Sequence, residues 1–293
     1  RFASASAGKV FVAAGILQLI EQGKLRFDDT LGELLNIEFH HIDKDVTVRQ
    51  LLIHTSGVPD YFDETVMSES EYEDLWIDYP NYKIRHNHDL LPLFINKPMM
   101  YPKGEKFQYN NSGYVLLAMI IEKVTGVYFD QYLQTNVFEP CNMKSTGYYE
   151  LDKLPSRCAN NYIYCPDTRD FRTNIFSVDV KGTGAGGAFI TVTDIVRFWT
   201  ELLKGSLISK ELVSKMLSKQ SEDGMAEEGY YGYGVWIIDN PRGEDFAYFQ
   251  GADPGVSFIS EYNPNNKMIS VLVSNYGDNV WKEMRRIREV FYQ

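Results

Sequence analysis

Ser6 and Lys9 stand three residues apart in the opening stretch RFASASAGKVFVAAGILQLIEQGKL. Residues i and i+3 share a helix face, so the Lys9 amine can reach the Ser6 hydroxyl. A serine at a helix N-terminus also meets free backbone N–H groups and the positive end of the helix dipole, which favour a developing negative charge. A lysine among apolar neighbours has its pKa lowered and can accept a proton. That is the chemistry of a covalent nucleophile with its base. The same spacing also fits a serine cap followed by a solvated lysine, and it does not separate the two.

A second group of residues bears on that choice. YPKGEKFQYNNSGYVLLAMIIEKVTG places Tyr109, Asn110 and Asn111 just before a helical pattern, about a hundred residues after Ser6. A phenol relays a proton between a serine and a leaving group if a neighbouring cation lowers its pKa. Asn111 offers a donor and an acceptor that could orient Lys9 and bind a substrate carbonyl. Alternatively, Asn111 before Ser112 is a plain helix cap.

The elements that must position these groups are legible in outline. Ser6 to Gly23 reads as one helix, apolar nearly all round from Val10 to Ile20 and therefore buried, with Gly23 as its C-terminal cap. SGYVLLAMIIEKVTG is a second helix that stops at Gly126. GTGAGGAFITVTDIVRFWTELLKG is a glycine-rich turn followed by an amphipathic helix that Thr193 can cap. YYGYGVWII, DFAYFQGA, VSFISEYN and KMISVLVSNY are β-type runs separated by DNPRGE, DPG and NPNN turns. They predict a four-strand antiparallel meander, closed by a helix around Trp281–Tyr292.

Composition narrows the function classes. The 293 residues are 44% hydrophobic and 24% charged, which is the balance of a globular protein with a substantial core. A net charge of −11 argues against nucleic acid or an anionic membrane surface as a partner. No apolar run reaches the ~18 residues of a membrane-spanning helix. Cys141, Cys158 and Cys165 form neither a metal spacing nor a disulfide framework, though one bridge is open, and they leave the compartment undetermined. There is no Gly-x-Ser-x-Gly elbow. His54 in HTSG reads as a turn residue, and His86-Asn87-His88-Asp89 as a solvated loop without a third metal ligand. Lys181–Gly187 lacks the ending of a phosphate loop, and its glycines are expected to let a wall of the site approach closely. No cofactor is implied.

With these residues in view, the chain resembles the penicillin-binding-protein-like serine hydrolases, specifically the class C β-lactamase and esterase branch. SAGKVFVAAGILQLIEQGKLRFDDTL resembles the family's nucleophile helix, VRQLLIHTSGVPDY its HTSG turn, and FQYNNSGYVLLAMIIEKVTG its Tyr-x-Asn element. GAGGAFITVTDIVRFWTELLKG and YGYGVWI are similar to two later blocks. The resemblance implies Ser6 as the acylated nucleophile, Lys9 and Tyr109 as the proton-transfer pair, and Asn111 beside them. It also implies an α/β (α+β) fold of the β-lactamase/transpeptidase type, an antiparallel sheet flanked by helices with a mainly helical domain inserted. Residues 1–24 and 183–293 would form the sheet domain and 25–182 the insertion. The family's helix and two strands before the nucleophile helix are absent, so an upstream segment is expected to be missing.

One departure stands out. The family carries Lys-Thr-Gly or His-x-Gly on a strand lining the site. The downstream PGVSF block aligns Phe249, Gln250, Gly251 and Ala252 with it, as substrate-binding positions. The glycine is kept, and the Ala252 N–H could complete an oxyanion hole with that of Ser6. The cation is not kept, so a substrate carboxylate loses a partner worth roughly 1.5–3 kcal/mol, and Asp253 opposes it further. The expected function is hydrolysis of a small ester, amide or peptide through an acyl-enzyme, with weak or no β-lactamase activity. The other reading is a catalytically silent relative that uses the cleft for binding or signalling. Oligomeric state is left open.

Overall fold

The computed structural model describes residues 1–222, 229–240, 243–277 and 279–291. Pro241 and Arg242 of the expected DNPRGE turn, and Tyr292 of the expected closing helix, lie outside the described residues.

The β-type runs of the C-terminal third pair into a six-stranded antiparallel sheet. Its order is Met268–Ser274, Val256–Asn263, Phe246–Asp253, Trp236–Ile238, Tyr230–Tyr231 and Ser221–Glu222. Six strands replace the four expected: Ser221–Glu222 adds an edge strand beside Tyr230–Tyr231, and YYGYGVWII divides into two because it does not run straight through. Gly232 donates to the Val235 carbonyl at 2.8 Å, and Gly234 sits at φ +75°, so the chain folds back on itself there. A side chain at Gly234 would meet the Ala13 methyl at 2.6 Å, so this turn also presses on the first helix.

Helices cover both faces of the sheet. On one, Phe249 packs against Phe198 and Trp199 of the Val192–Lys204 helix. On the other, Tyr248 and Ile259 meet Met284 of the closing helix, which runs over Val280–Phe291. The Val192–Lys204 helix is capped by Thr191 rather than Thr193. Thr191 has the extended backbone of a cap, and its hydroxyl accepts from the Asp194 N–H. Thr193 falls inside the first turn.

The first helix, Lys9–Glu21, lies at the centre of the core, preceded by a 3₁₀ turn over Ala5–Gly8. Its residues from Lys9 to Leu19 are all buried, as the apolar pattern requires. Phe11 meets Phe138 and Phe198 edge-on at 5.0 Å each, and burying such a ring stabilises by roughly 1.5–3 kcal/mol. The Asn111–Thr125 helix packs beside it and ends at Gly126, φ +74°. One apolar cluster runs continuously from the first helix through this second helix to the sheet. The three cysteines are unpaired.

Candidate active site

Ser6 occupies the 3₁₀ turn that leads into the first helix, so its hydroxyl stands at the entrance of a buried element. The residue before it, Ala5, has φ +46°, a left-handed conformation that costs a non-glycine residue roughly 1–3 kcal/mol. Neighbouring backbone holds it there: the Gly187 N–H donates to the Ala5 carbonyl at 2.9 Å, and the Ser4 N–H to the Ala188 carbonyl at 2.9 Å. The Ser4 hydroxyl adds a bond to the same Ala188 carbonyl at 2.7 Å. Two glycines close on this turn from either side. A Cβ at Gly186 would lie 2.4 Å from the Ala5 oxygen, and one at Gly251 would lie 2.7 Å from the Ser6 nitrogen. No other residue lets the glycine-rich loop and the Phe246–Asp253 strand approach so near.

Lys9 begins the helix and is 2% exposed. Its ammonium donates to Ser6 Oγ at 3.0 Å, to Asn111 Oδ1 at 2.8 Å and to the Ala185 carbonyl at 2.5 Å. Burial pushes its pKa down to about 8, partly opposed by the negative charges of Glu64, Asp60, Asp253 and Asp179. A lysine there is a base within reach of neutral pH. Asn111 is not the helix cap. Asn110 takes that role, accepting from the Gly113 N–H at 2.7 Å, which leaves the Asn111 amide free to join Lys9 to the cleft wall. Its Nδ2 donates to the Phe62 carbonyl and to Glu64 Oε1, both at 3.0 Å. Asp60 fixes the start of the same helix, accepting from the Asn111 and Ser112 N–H groups and from the Ser112 hydroxyl. Burial raises the Asp60 pKa to about 6 against the pull of those bonds.

The Tyr109 hydroxyl shares a hydrogen bond with Ser6, and Lys9 Nζ lies 4.8 Å from the centre of its ring. The sequence left room for a phenol acidified by that cation. Burial, with Glu64 beside it, instead drives the Tyr109 pKa well above its usual value. The hydroxyl therefore stays protonated, and Lys9 is the only member of the pair that can be empty at neutral pH. His54 supports Tyr109 from below. It is fully buried among Tyr109, Tyr114 and Tyr231, and its Nδ1 accepts from the Asn110 N–H at 3.1 Å. Burial and the Lys9 charge keep it neutral, so it holds the turn at φ +57° and takes no proton.

Two arms of a cleft meet at Ser6. One, a narrow space of about 30 Å³, is walled by Tyr61, Phe62, Glu64, Tyr72, Asp179 and Asp253. The other, about 170 Å³, is walled by Tyr109, Trp236, Gln250, Gly251, Ala252 and Trp281, with Glu64 at the junction. Among the described residues that line them there is no Lys, Arg or His. Gln250 reaches across to accept from Trp281 Nε1 at 2.6 Å.

Phe249 does not belong to this wall, and its assignment as a substrate-binding residue is corrected here. Side chains alternate along a strand, so Phe249 and Gln250 point to opposite faces. Gln250 faces the cleft, while Phe249 is 2% exposed, wedged between Phe198, Trp199 and Phe258 in the core. The strand thus brings Gln250, Gly251 and Ala252 to Ser6 and leaves Phe249 behind.

Sequence reasoning missed Glu64, Asp60, Asp179, Trp236 and Trp281. Asp60 lies in the VPDY block already singled out, and Glu64 follows it in the same loop, YFDETV. Asp179 and the two tryptophans carry no local signal, because they come from separate elements that only the fold assembles. The glycine-rich Lys181–Gly187 segment supplies a site wall, as its composition suggested. Gly184 donates to Asn87 Oδ1 at 2.8 Å, and Lys181 pairs with Asp130 at 2.7 Å away from the cleft. His86 stacks on Tyr128, and His88 lies 3.2 Å from Asp89 on the surface.

The geometry agrees with what the chain matches. A β-lactamase family profile covers residues 1–292. Penicillin-binding protein 4* of Bacillus subtilis is 30% identical over 96% of this chain and 62% of its own length. Teichoic acid D-alanine hydrolase of Staphylococcus aureus is 25% identical over 79% of this chain and 53% of its own. The chain thus spans less than two thirds of the length of these curated relatives. Among solved structures, a penicillin-binding protein from Bacillus halodurans is 39% identical, with a TM-score of 0.93 over 99% of this chain and 86% of that one. An octameric penicillin-binding protein homologue from Pyrococcus abyssi is 26% identical, with a TM-score of 0.83 over 99% of this chain and 66% of that one. The chain belongs to the β-lactamase family, among the penicillin-binding-protein-like serine hydrolases.

Proposed function

We propose that this chain hydrolyses small esters or amides through an acyl-enzyme on Ser6. Neutral Lys9 takes the Ser6 proton as Oγ bonds to the substrate carbonyl carbon. The bond to the leaving oxygen or nitrogen then breaks, and that atom is protonated through the Tyr109 hydroxyl, which is refilled from Lys9. Water, deprotonated by the same pair, attacks the ester on Ser6 and releases the acid. The Ser6 N–H and the Ala252 N–H are the candidate donors to the oxyanion, since Gly251 brings their two elements together. Asn111 holds Lys9 and faces the substrate.

The observation that carries this reading is the buried Lys9 amine, 3.0 Å from Ser6 Oγ with its pKa near 8. Carboxylate-bearing lactams are poor substrates on this account, because the cleft wall offers them Glu64, Asp179 and Asp253 and, among the described residues that line it, no cationic side chain. The Staphylococcus aureus relative is a teichoic acid D-alanine hydrolase, which supports hydrolysis as the reaction class. Mass spectrometry after incubation with an alkyl fluorophosphonate and, separately, with a labelled penicillin tests the proposal. The expected result is rapid phosphonylation of Ser6 and slow or no acylation by the penicillin. Absence of any adduct with either reagent favours the alternative, a silent cleft used for binding.

A further inference from the structure

Lys9 meets three oxygens, and only one of them can donate to it. Asn111 Oδ1 and the Ala185 carbonyl are pure acceptors, at 2.8 and 2.5 Å, whereas the Ser6 hydroxyl at 3.0 Å carries a proton of its own. A neutral amine has two N–H groups and one lone pair. The two acceptors take the two N–H groups, so the lone pair is left facing the Ser6 hydroxyl. Whatever fixes those two acceptors therefore aims the base.

Asn111 is fixed at the start of its helix and by its bonds to Phe62 and Glu64. Ala185 lies in a less restrained stretch, with glycine at 182, 184, 186 and 187. Thr183 and Gly186 pair through both backbone groups, at 2.9 and 3.1 Å, which puts Gly184 and Ala185 at the tip of a tight turn. Asn87 holds that tip from the side away from the cleft, its Oδ1 accepting from the Gly184 N–H at 2.8 Å. Asn87 is fully buried, although its His86–Asp89 context reads as a solvated loop. Its Nδ2 donates to Glu122 Oε1 at 3.0 Å, so both ends of the amide are used. The N–H of Gly184 and the carboxylate of Glu122 together fix which way this amide points.

Glu122 closes the circuit. It belongs to the Asn111–Thr125 helix, whose first residue is the other acceptor for Lys9. Tyr114, Ala118 and Glu122 are four residues apart and share one face of that helix. Gly184 rests on this face, where a Cβ would lie 2.1 Å from the Tyr114 carbonyl oxygen and 2.7 Å from the Ala118 methyl. One helix thus carries Asn111 at its start, seats the turn tip at its middle and ties it down through Asn87 near its end.

Resting on the acyl-enzyme reading above, we infer that Asn87 and Glu122 are positioning residues for the base. They hold the Ala185 carbonyl against Lys9 Nζ, so that the lone pair of the amine faces Ser6. Neither lines an arm of the cleft, and they act on the reaction only through Lys9.

The test exchanges donor and acceptor within the clasp and follows the rate of Ser6 acylation by p-nitrophenyl acetate in single-turnover kinetics. Asn87→Asp keeps an acceptor for the Gly184 N–H but sets a second carboxylate against Glu122, so the two share one proton or repel. Burial already raises the Glu122 pKa; Asp130 adds to that and His86 opposes it, while Lys181 holds Asp130 at 2.7 Å. In Asn87→Asp acylation should slow about tenfold at pH 8, the worth of one hydrogen bond, and less at pH 6, where the shared proton is kept. Adding Glu122→Gln to Asn87→Asp supplies an amide donor to the new carboxylate. The double variant should recover most of the lost rate and the wild-type pH dependence. Should Asn87→Asp not fold, Glu122→Ala, which releases Asn87 without adding a charge, decides by itself with a severalfold loss. Wild-type acylation in Asn87→Asp or in Glu122→Ala, in a protein whose Ser6 reacts with the fluorophosphonate, overturns the inference and leaves the proposed function standing. A loss that is the same at pH 6 and pH 8 and is not recovered in the double variant also overturns it, and marks these residues as structural only. No reaction of wild-type Ser6 with the fluorophosphonate removes the proposed function and this inference together.

Discussion

Replacing Glu64 by Gln removes one negative charge from the cleft wall while keeping an acceptor for the Asn111 amide. Glu64 reaches Lys9 through a single side chain: its Oε1 accepts from Asn111 Nδ2 at 3.0 Å, and Asn111 Oδ1 accepts from Lys9 at 2.8 Å. Of the charges that hold Lys9 protonated, that of Glu64 is the largest. Across that bridge the two charges are roughly 7 Å apart, and with the effective dielectric of about 40 suited to an acid open to solvent they attract by about 1 kcal/mol. Removing the attraction destabilises the ammonium, so the apparent pKa of the Ser6–Lys9–Tyr109 unit should move down from about 8 by somewhat less than one pH unit. The assay is the pH dependence of p-nitrophenyl acetate hydrolysis, a neutral ester that brings no charge of its own to pair with Glu64. In the wild type the rate should rise with pH and level off above about 8, as Lys9 loses its proton. In Glu64→Gln the rise should come earlier, so that at pH 6.5 the variant retains a larger share of its own plateau. A limb that stays in place, or that moves upward, refutes the assignment of Lys9 as the titrating base under the field of Glu64.

Lys9→Ala and Tyr109→Phe should each slow acylation by orders of magnitude, and the double variant should be little worse than the worse single one, because both serve one proton path. Losses that multiply in single-turnover kinetics would place them in separate steps. Phe249→Ala should destabilise the fold by about 3–5 kcal/mol in urea unfolding, the range for emptying a core aromatic site, and a near-neutral result would return Phe249 to the cleft. Gln250→Lys, by contrast, puts a cation where the cleft can feel it. It should raise kcat/KM for a chromogenic cephalosporin relative to p-nitrophenyl acetate, and no rise would mean that the missing cation does not limit lactams. Gly251→Ala should cut turnover sharply, since its methyl would press on the Ser6 nitrogen; wild-type activity in that variant would contradict the close approach.

Much of the site was legible because its parts lie in periodic or tightly spaced sequence. The first helix announced itself by apolar residues on every side, and the Ser6–Lys9 spacing needed only a helical turn to become a contact. Tyr109 and Asn111 could be placed at a helix start, although choosing between Asn110 and Asn111 as the cap required the backbone angles. The cap at Thr191 was missed for the same reason, since Thr191 and Thr193 both suit an N-terminus. Phe249 was misplaced because a motif alignment gives a position along a strand, whereas the pleat decides which face it serves. The double turn at Gly232 and Gly234 broke a run that reads as one strand, and only its contact with Ala13 explains why. Glu64 and Asp179 were invisible as a pair, being 115 residues apart in loops without periodicity. The state of Tyr109 turned on magnitude: a cation stands near its ring, but burial outweighs it.

The central claim is that Ser6 becomes acylated. Acid-quenching the protein milliseconds after mixing with p-nitrophenyl acetate traps whatever covalent species has formed, and peptide mapping by mass spectrometry locates it. The account predicts an acetyl group on the peptide that contains Ser6, formed together with a burst of p-nitrophenol and absent from Ser6→Ala. Wild-type turnover in Ser6→Ala, or an acetyl group carried on any other residue, would contradict it.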